Sequence, residues 1–446
     1  MAWRSHLFAA LRHPHEHRIL LVRSDRAWRL PHVLVPGRAG FASASTLVAA
    51  FERRLRTRPW LLRQIRFIDD EAAEQREVVY ELALLDRAWA EPAHGRWIGR
   101  SELDRLRLAD EAHRSVLCEY LDALEGGGTP PERAAWARLG WLSDVSAWIE
   151  REVARLGHAV TGIEQIKQWS ISSVLLVHTD GPDVYFKVSA RLPLFVEEGP
   201  VTAMLSSRFP GYVPAPLAVE PEQGWMLLPE LGELIGWKAP LEFRRAMFER
   251  FAALQRRSAK QADALIAAGC FDRRLDVLER QLEPLVTDPA AVARLRSEEV
   301  DELRRQLPVF QEACCRLAGA GLPPTLVHGD LHGDNVARHD GELVYFDWTD
   351  ACVAHPFIDL HSLQWEQDET SRAALLAAYL DAWDGVAAPE LLREAASLAE
   401  VVVPLHHAVS YQHIVAGIEP AARMELDATH EFLREALARA RDWSNG

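Results

Sequence analysis

His328-Gly329-Asp330-Leu331-His332-Gly333-Asp334-Asn335, followed after an apolar run by Phe346-Asp347-Trp348, is the stretch on which the reading of this chain turns. Asn335 stands five residues after Asp330, and Asp347 twelve residues after Asn335. Between them Gly341-Glu342-Leu343-Val344-Tyr345-Phe346 reads as a turn and a β-strand. A tight loop can aim Asp330 and Asn335 into one cavity, and a buried strand delivers Asp347 from a rigid end. One acid able to take a proton, with an amide and a second acid able to hold a hard cation, are thereby set in a short ordered series.

Kinase-type phosphoryl transfer asks for this order: an Asp that receives or orients the acceptor hydroxyl, an Asn five residues on that holds Mg²⁺, and an Asp after the next hairpin that bridges metal and phosphates. With the segment His355-Pro356-Phe357-Ile358-Asp359-Leu360 added, the series resembles the aminoglycoside phosphotransferase family, a group that also takes in choline kinases. The resemblance covers roughly residues 141–446. It implies an α+β, protein-kinase-like two-lobed fold, with a small β-rich lobe over about 141–232 and a large helical lobe over about 233–446, preceded by a separate α+β domain. It further implies a small-molecule kinase that moves the γ-phosphate of ATP or GTP to an acceptor hydroxyl with Mg²⁺. Asp330 would then be the catalytic base or hydroxyl-orienting group, and Asn335 and Asp347 the metal ligands. The rival is a catalytically inactive kinase-like module that binds nucleotide and regulates. A regulator has no need of the whole set.

Upstream, Val174-Leu175-Leu176-Val177 and Val184-Tyr185-Phe186-Lys187-Val188 flank the turn cluster Thr179-Asp180-Gly181-Pro182-Asp183 and read as a hairpin. Lys187 falls where a Val-x-x-Lys strand puts the lysine that meets nucleotide phosphates. Its acidic partner is expected to be Glu198, at the head of a helical stretch through Val201 and Leu205, with Glu197 as runner-up. No Gly-rich loop precedes the strand. Gln168-Trp169-Ser170-Ile171-Ser172-Ser173 stands there instead, and Ser172 is taken as the phosphate-side residue. Trp225-Met226-Leu227-Leu228-Pro229-Glu230-Leu231-Gly232 resembles the linker between lobes, where adenine or guanine would meet the main chain near Glu230 and Leu231.

The net charge of −15, from 65 acids against 50 bases, disfavours nucleic acid and anionic membrane as partners. Seven acids fall between Asp359 and Glu390 against the single base Arg372. In the resembling family this region builds the acceptor cavity, where an acidic wall would suit a cationic acceptor; the alternative is a solvated helix face. Five scattered cysteines, and no apolar run near the ~18 residues of a membrane span, point to a cytoplasmic protein. His13-Pro14-His15-Glu16-His17 has a metal-like composition, but Pro14 marks an irregular loop and no zinc spacing accompanies it. His332 and Asp334 could touch acceptor or metal, or only shape the loop.

The glycine-rich tract Gly126-Gly127-Gly128-Thr129-Pro130-Pro131 reads as a linker over 126–140, behind an N-terminal α+β domain over 1–125. Strands are expected at Arg18–Arg23 and Gln75–Leu82, and helices at Thr46–Leu55 and Glu102–Leu124. The strand, the Trp28-Arg29-Leu30-Pro31 segment, a loop with Gly37 and Gly40 and then a helix are similar to a Nudix-type domain. The helix Ala49–Arg56 offers Glu52 alone among arginines, however, so hydrolysis by this domain is not expected. Past the linker, helices are expected from Trp141 to Leu156 and through most of 241–443.

Overall fold

The computed structural model describes residues 3–38, 44–86 and 88–445, the side chains of 444 and 445 excepted. Gly40 lies outside them. The chain forms two compact units, residues 1–190 with 417–426, and residues 191–416 with 427–446.

The first unit is built on a four-stranded sheet in the order His32–Pro36, Arg4–Leu11, Gln75–Leu84, Pro59–Asp70. The first and last named strands run antiparallel to their neighbours, while Arg4–Leu11 and Gln75–Leu84 run parallel. Successive side chains of a strand face opposite ways. Leu7, Ala9 and Leu11 accordingly pack with Phe51 and Leu55 of the helix Ala44–Leu55, whereas Ala10 packs on the other side with Leu117 and Leu121. With both faces covered, Arg4–Leu11 shows no polar alternation, and it is not evident as a strand in the sequence. Pro59–Asp70 is equally concealed, because two register shifts, between Leu61 and Arg63 and between Gln64 and Arg66, break its period of two.

The helix expected over Glu102–Leu124 divides into Arg100–Leu103 and His113–Glu125. Asp110 turns the intervening chain by accepting from the Ala112 amide at 2.9 Å, and Arg114 fixes it by donating to the carbonyls of Leu103 and Leu106. Side-chain competition of this kind ends helices. The same unit carries the antiparallel strands Val160–Gln168, Ser172–Thr179 and Val184–Ser189. The helix Trp141–Arg155 packs behind them, with Trp141 and Trp148 edge-on to Phe186 at centroid distances of 5.9 and 6.0 Å.

In the second unit the helices Glu198–Arg208, Leu241–Ser258, Leu275–Thr287, Ser297–Ala318, Glu369–Asp381, Pro389–Gly417 and Thr429–Asn445 surround two small sheets. One sheet pairs Glu233–Leu234, Val336–His339 and Glu342–Tyr345; the other pairs Phe271–Asp272, Cys352–Ala354 and Thr325–Val327. Phe251, Leu326, Phe357, Tyr379, Trp383 and Leu405 are fully buried and fill the space between them. Among the described residues no helix is long and apolar enough to cross a membrane. All five cysteines are free thiols.

Candidate active site

The buried strand Thr325–Val327 ends at His328, and the chain then turns through Gly329 to Asp330 and Leu331 and into the 3₁₀ turn Gly333–Asn335. Two glycines make the path possible. Gly329 holds φ at +83°, and a Cβ there would lie 2.7 Å from the Asp350 carbonyl oxygen. At Gly333 a Cβ would meet the Gly236 carbonyl oxygen at 2.2 Å, while the Gly236 amide donates to the Gly333 carbonyl at 2.9 Å. Only a residue without a side chain admits so close an approach.

The loop hangs from a buried carboxylate. Asp359, fully inaccessible, accepts from the backbone amides of His328 at 3.0 Å and Gly329 at 2.9 Å, and from Gln255 Nε2 at 2.9 Å. Burial pushes its carboxyl up to about 7 against these three donors. His328 is buried as well and is pushed down to about 4, so it is neutral at pH 7. Its Nδ1 accepts from the Asp330 amide at 3.3 Å, so Nε2 carries the proton and donates to the Phe346 carbonyl at 2.9 Å. That bond joins the loop to the residue before Asp347.

Asn335 Nδ2 donates to the Asp330 carbonyl at 2.9 Å and to Asp330 Oδ2 at 3.1 Å. With the nitrogen engaged, the amide oxygen is the atom left for a cation. The Phe346 amide donates to the Asn335 carbonyl at 3.1 Å, which brings the end of the strand Glu342–Tyr345 back to the same loop. Asp347 follows in the left-handed region at φ 65°, a conformation that Asp tolerates better than most residues and that recurs at functional sites. The Thr349 hydroxyl lies 3.1 Å from both Asp347 Oδ1 and Glu198 Oε2, donating to one carboxylate at a time. Glu198 is buried at the first turn of its helix, whereas Glu197 is exposed.

Asp330 keeps 45 % of its side chain exposed. Burial of its surroundings opposes the charge, but His332 and His361 outweigh it and hold the carboxyl well below the ordinary carboxylate range. His332 Nε2 stands 3.3 Å and His361 Nε2 3.7 Å from its oxygens; the second is an electrostatic contact, too long for a hydrogen bond. For His332 burial is outweighed by the Asp330 hydrogen bond and by the charges of Asp330, Asp334 and Asp347, which raise its pKa. Three acids of the motif thus converge on one imidazole. The backbone amide of Asp334 donates to His332 Nδ1 at 3.2 Å, a bond internal to the loop.

Beside the loop stands an aromatic wall absent from the sequence reading. Trp237 stacks on His332 with centroids 4.5 Å apart, Trp365 lies 5.4 Å from Trp237, and His361 is edge-on to Trp365 at 5.3 Å. Both indoles are partly exposed, at 39 % and 47 %. The acids between Asp359 and Glu390 do not make one wall: Asp359 is buried under the loop, Glu366 pairs with Arg244, and Asp368 caps the helix Glu369–Asp381 through the Ser371 amide at 2.8 Å. A run of acids in sequence carries no information about which face each occupies.

The remaining sequence-derived positions are placed one by one. Lys187 is buried on Val184–Ser189 opposite Val174. Ser172 is buried at the start of its strand, its hydroxyl accepting from Trp169 Nε1 at 2.5 Å. Glu230 and Leu231 follow the strand Trp225–Pro229 in irregular chain, with Glu230 exposed. In the histidine-rich segment, His13 Nδ1 accepts from the amides of His15 and Glu16, which closes a turn.

A loop aspartate bonded to an asparagine five residues on, with Phe346 bonded back to that asparagine ahead of Asp347, stands here on a kinase-like α+β fold. The chain belongs to the phosphotransferase enzyme family, whose model matches residues 163–394, more than half of its length. Similar solved structures include a macrolide 2′-phosphotransferase from Brachybacterium faecium (20 % identity, 63 % of this chain and 97 % of that one, TM-score 0.46). A choline kinase from Streptococcus pneumoniae is similar at 14 % identity over 67 % of this chain and 99 % of that one, with a TM-score of 0.49. An aminoglycoside phosphotransferase in complex with GDP and kanamycin is similar at 17 % identity over 66 % and 99 %, also with a TM-score of 0.49. No curated protein sequence matches the chain.

Proposed function

We propose that this protein is a small-molecule kinase that transfers the γ-phosphoryl group of ATP or GTP to an acceptor hydroxyl with Mg²⁺. The observation that carries the reading is the Asn335 amide bound to Asp330, with the start of the Phe346-Asp347 segment bonded back to Asn335. Asp330, anionic and partly exposed, takes or orients the hydroxyl proton at its carboxylate. The amide oxygen of Asn335 and the carboxylate of Asp347 are hard donors of the kind Mg²⁺ prefers and would hold it; when bound, the ion would neutralise charge on the phosphates. Lys187 and Ser172 are read as phosphate-side residues, and Glu198 and the main chain of Glu230 and Leu231 as further nucleotide-side positions. The kinase domain is read as residues 141–446, the segment 126–140 as a linker, and residues 1–125 as a domain without hydrolase chemistry of its own.

On the acceptor side Trp237 and Trp365 supply apolar faces, which suit a hydroxyl-bearing molecule with an apolar or cationic surface. Cytoplasmic location accords with the five free thiols. The test is a thermal-shift assay with ATP, GTP and Mg²⁺, followed by an acceptor screen read by phosphate transfer. Nucleotide-dependent stabilisation that needs Mg²⁺, together with transfer lost in Asp330→Ala, is the expected result. Transfer at wild-type rate in that variant would sink the catalytic assignment.

A further inference from the structure

The sheet of the first unit carries a cluster that phosphoryl transfer does not use. Glu77 stands on the strand Gln75–Leu84, Asp110 in the loop that interrupts the expected helix, and His113 at the first position of the helix His113–Glu125. One ligand atom from each lies within 4.8 Å of the other two. His113 Nε2 and Glu77 Oε1 are 3.3 Å apart. That is close to the edge of a tetrahedron drawn with zinc bonds of about 2.0–2.1 Å, roughly 3.4 Å.

The pair is a buried contact that no well-aligned hydrogen bond completes. His113 is only 2 % exposed, and both His113 Nε2 and Glu77 Oε1 are buried atoms with no hydrogen-bond partner. Buried polar atoms whose contacts are poorly aligned are costly, and a cation between them would satisfy both. Arg66 is the competing cation. Its Nε lies 3.1 Å from Glu77 Oε1, also without a well-aligned hydrogen bond, while its Nη1 is anchored on the Ala112 carbonyl at 2.7 Å. An anchored arginine beside a ligating carboxylate would serve as an outer hydrogen-bonding partner. The Asp110 carboxylate belongs to an exposed loop, so it can close toward the other two, and Phe8 packs edge-on against the His113 ring at 4.5 Å and holds it in place.

We infer that Glu77, Asp110 and His113 form a site for a divalent transition ion of the zinc type, which fastens the loop ahead of His113–Glu125 to the central sheet of the first unit. An imidazole with two carboxylates suits Zn²⁺ better than the oxygen-loving Mg²⁺ or Ca²⁺, and a water would complete four-coordination. The site is separate from the helix Ala49–Arg56, where a Nudix-type metal would be sought, and from Asn335 and Asp347.

The test uses the full chain without an affinity tag, stripped with a chelator and titrated with Zn²⁺ in competition with a chromophoric chelator. Co²⁺ absorption reports the coordination geometry. One tight equivalent is expected, with a rise in melting temperature and tetrahedral Co²⁺ bands. Asp110→Asn should weaken Zn²⁺ binding at least tenfold; the residue is exposed, so the variant folds whether or not His113→Gln does. Asp347→Asn, and a variant with His13, His15 and His17 all changed to Ala, should bind as the parent does. Equal affinity in Asp110→Asn and parent, or the absence of any equivalent tighter than that of Mg²⁺, overturns the inference.

Discussion

Asp359→Asn is the sharpest probe of how the site is held. The native carboxylate accepts three N–H groups, from His328, Gly329 and Gln255, in a fully buried position. An asparagine keeps the shape but offers one acceptor oxygen and turns an NH₂ toward a donor. In the less costly orientation the NH₂ replaces Oδ1 and faces the Gly329 amide, while the oxygen keeps His328 and Gln255. A loss of about 1–3 kcal/mol is expected by urea denaturation, a sizeable share of a domain's total stability. Asp359→Ala would free all three donors and should not accumulate as folded protein. The pH dependence gives an independent handle. Because burial raises the folded-state carboxyl to about 7, the native form holds its proton more tightly than the unfolded chain. Stability from this group is therefore fully present below the unfolded value near 4 and is lost as pH rises through about 7. The asparagine variant should lack that slope, so the two denaturation curves should lie furthest apart at low pH. If Asp359→Asn unfolds within about 0.5 kcal/mol of the parent at pH 5 and retains its kcat, the loop is held by something else.

Further outcomes follow from the same geometry. Asp330→Ala should lose transfer while nucleotide with Mg²⁺ still raises the melting temperature, and loss of both would place Asp330 among the metal ligands instead. Asp347→Asn should lose transfer together with the Mg²⁺-dependent part of the nucleotide shift, since an amide is a poorer ligand than a carboxylate for a hard cation; an unchanged shift would remove Asp347 from the metal site. Gly333→Ala forces a methyl against the Gly236 carbonyl, 2.2 Å from the ideal Cβ, and should lower kcat tenfold or more in folded protein. Trp237→Ala should raise the acceptor KM with little effect on nucleotide affinity, and equal effects on both would argue that the indole only packs against the loop.

The parts of the site that the sequence makes legible are those within one short stretch. Asp330, Asn335 and the strand that ends before Asp347 form a local pattern whose spacing is itself the geometry. The paired strands around Lys187 and the helix that begins at Glu198 are legible for the same reason, through alternation and turn residues. Asp359 is different. Its segment is recognisable, but its acid is easily counted with the charged residues that follow; the neighbours Phe357, Ile358 and Leu360 are the signal that it is buried. Trp237, His332 and Trp365 meet from three distant points in the chain, and no local periodicity records that contact. In the first unit the concealed strands Arg4–Leu11 and Pro59–Asp70 lack the period of two for opposite reasons, one through burial on both faces and one through bulges.

The stack of Trp237 on His332 gives the molecule an optical reporter. An imidazole against an indole face quenches its emission, and more strongly when protonated, so the brightness of Trp237 depends on the charge of a ring that touches Asp330. Trp348 and Trp383 are sealed in the core and give a fixed background. Trp237 and Trp365, partly open to solvent, line the proposed acceptor side, where an arriving acceptor would dehydrate them. Stopped-flow emission can therefore follow occupancy of the acceptor side in real time, without a labelled substrate and before the identity of the natural acceptor is known.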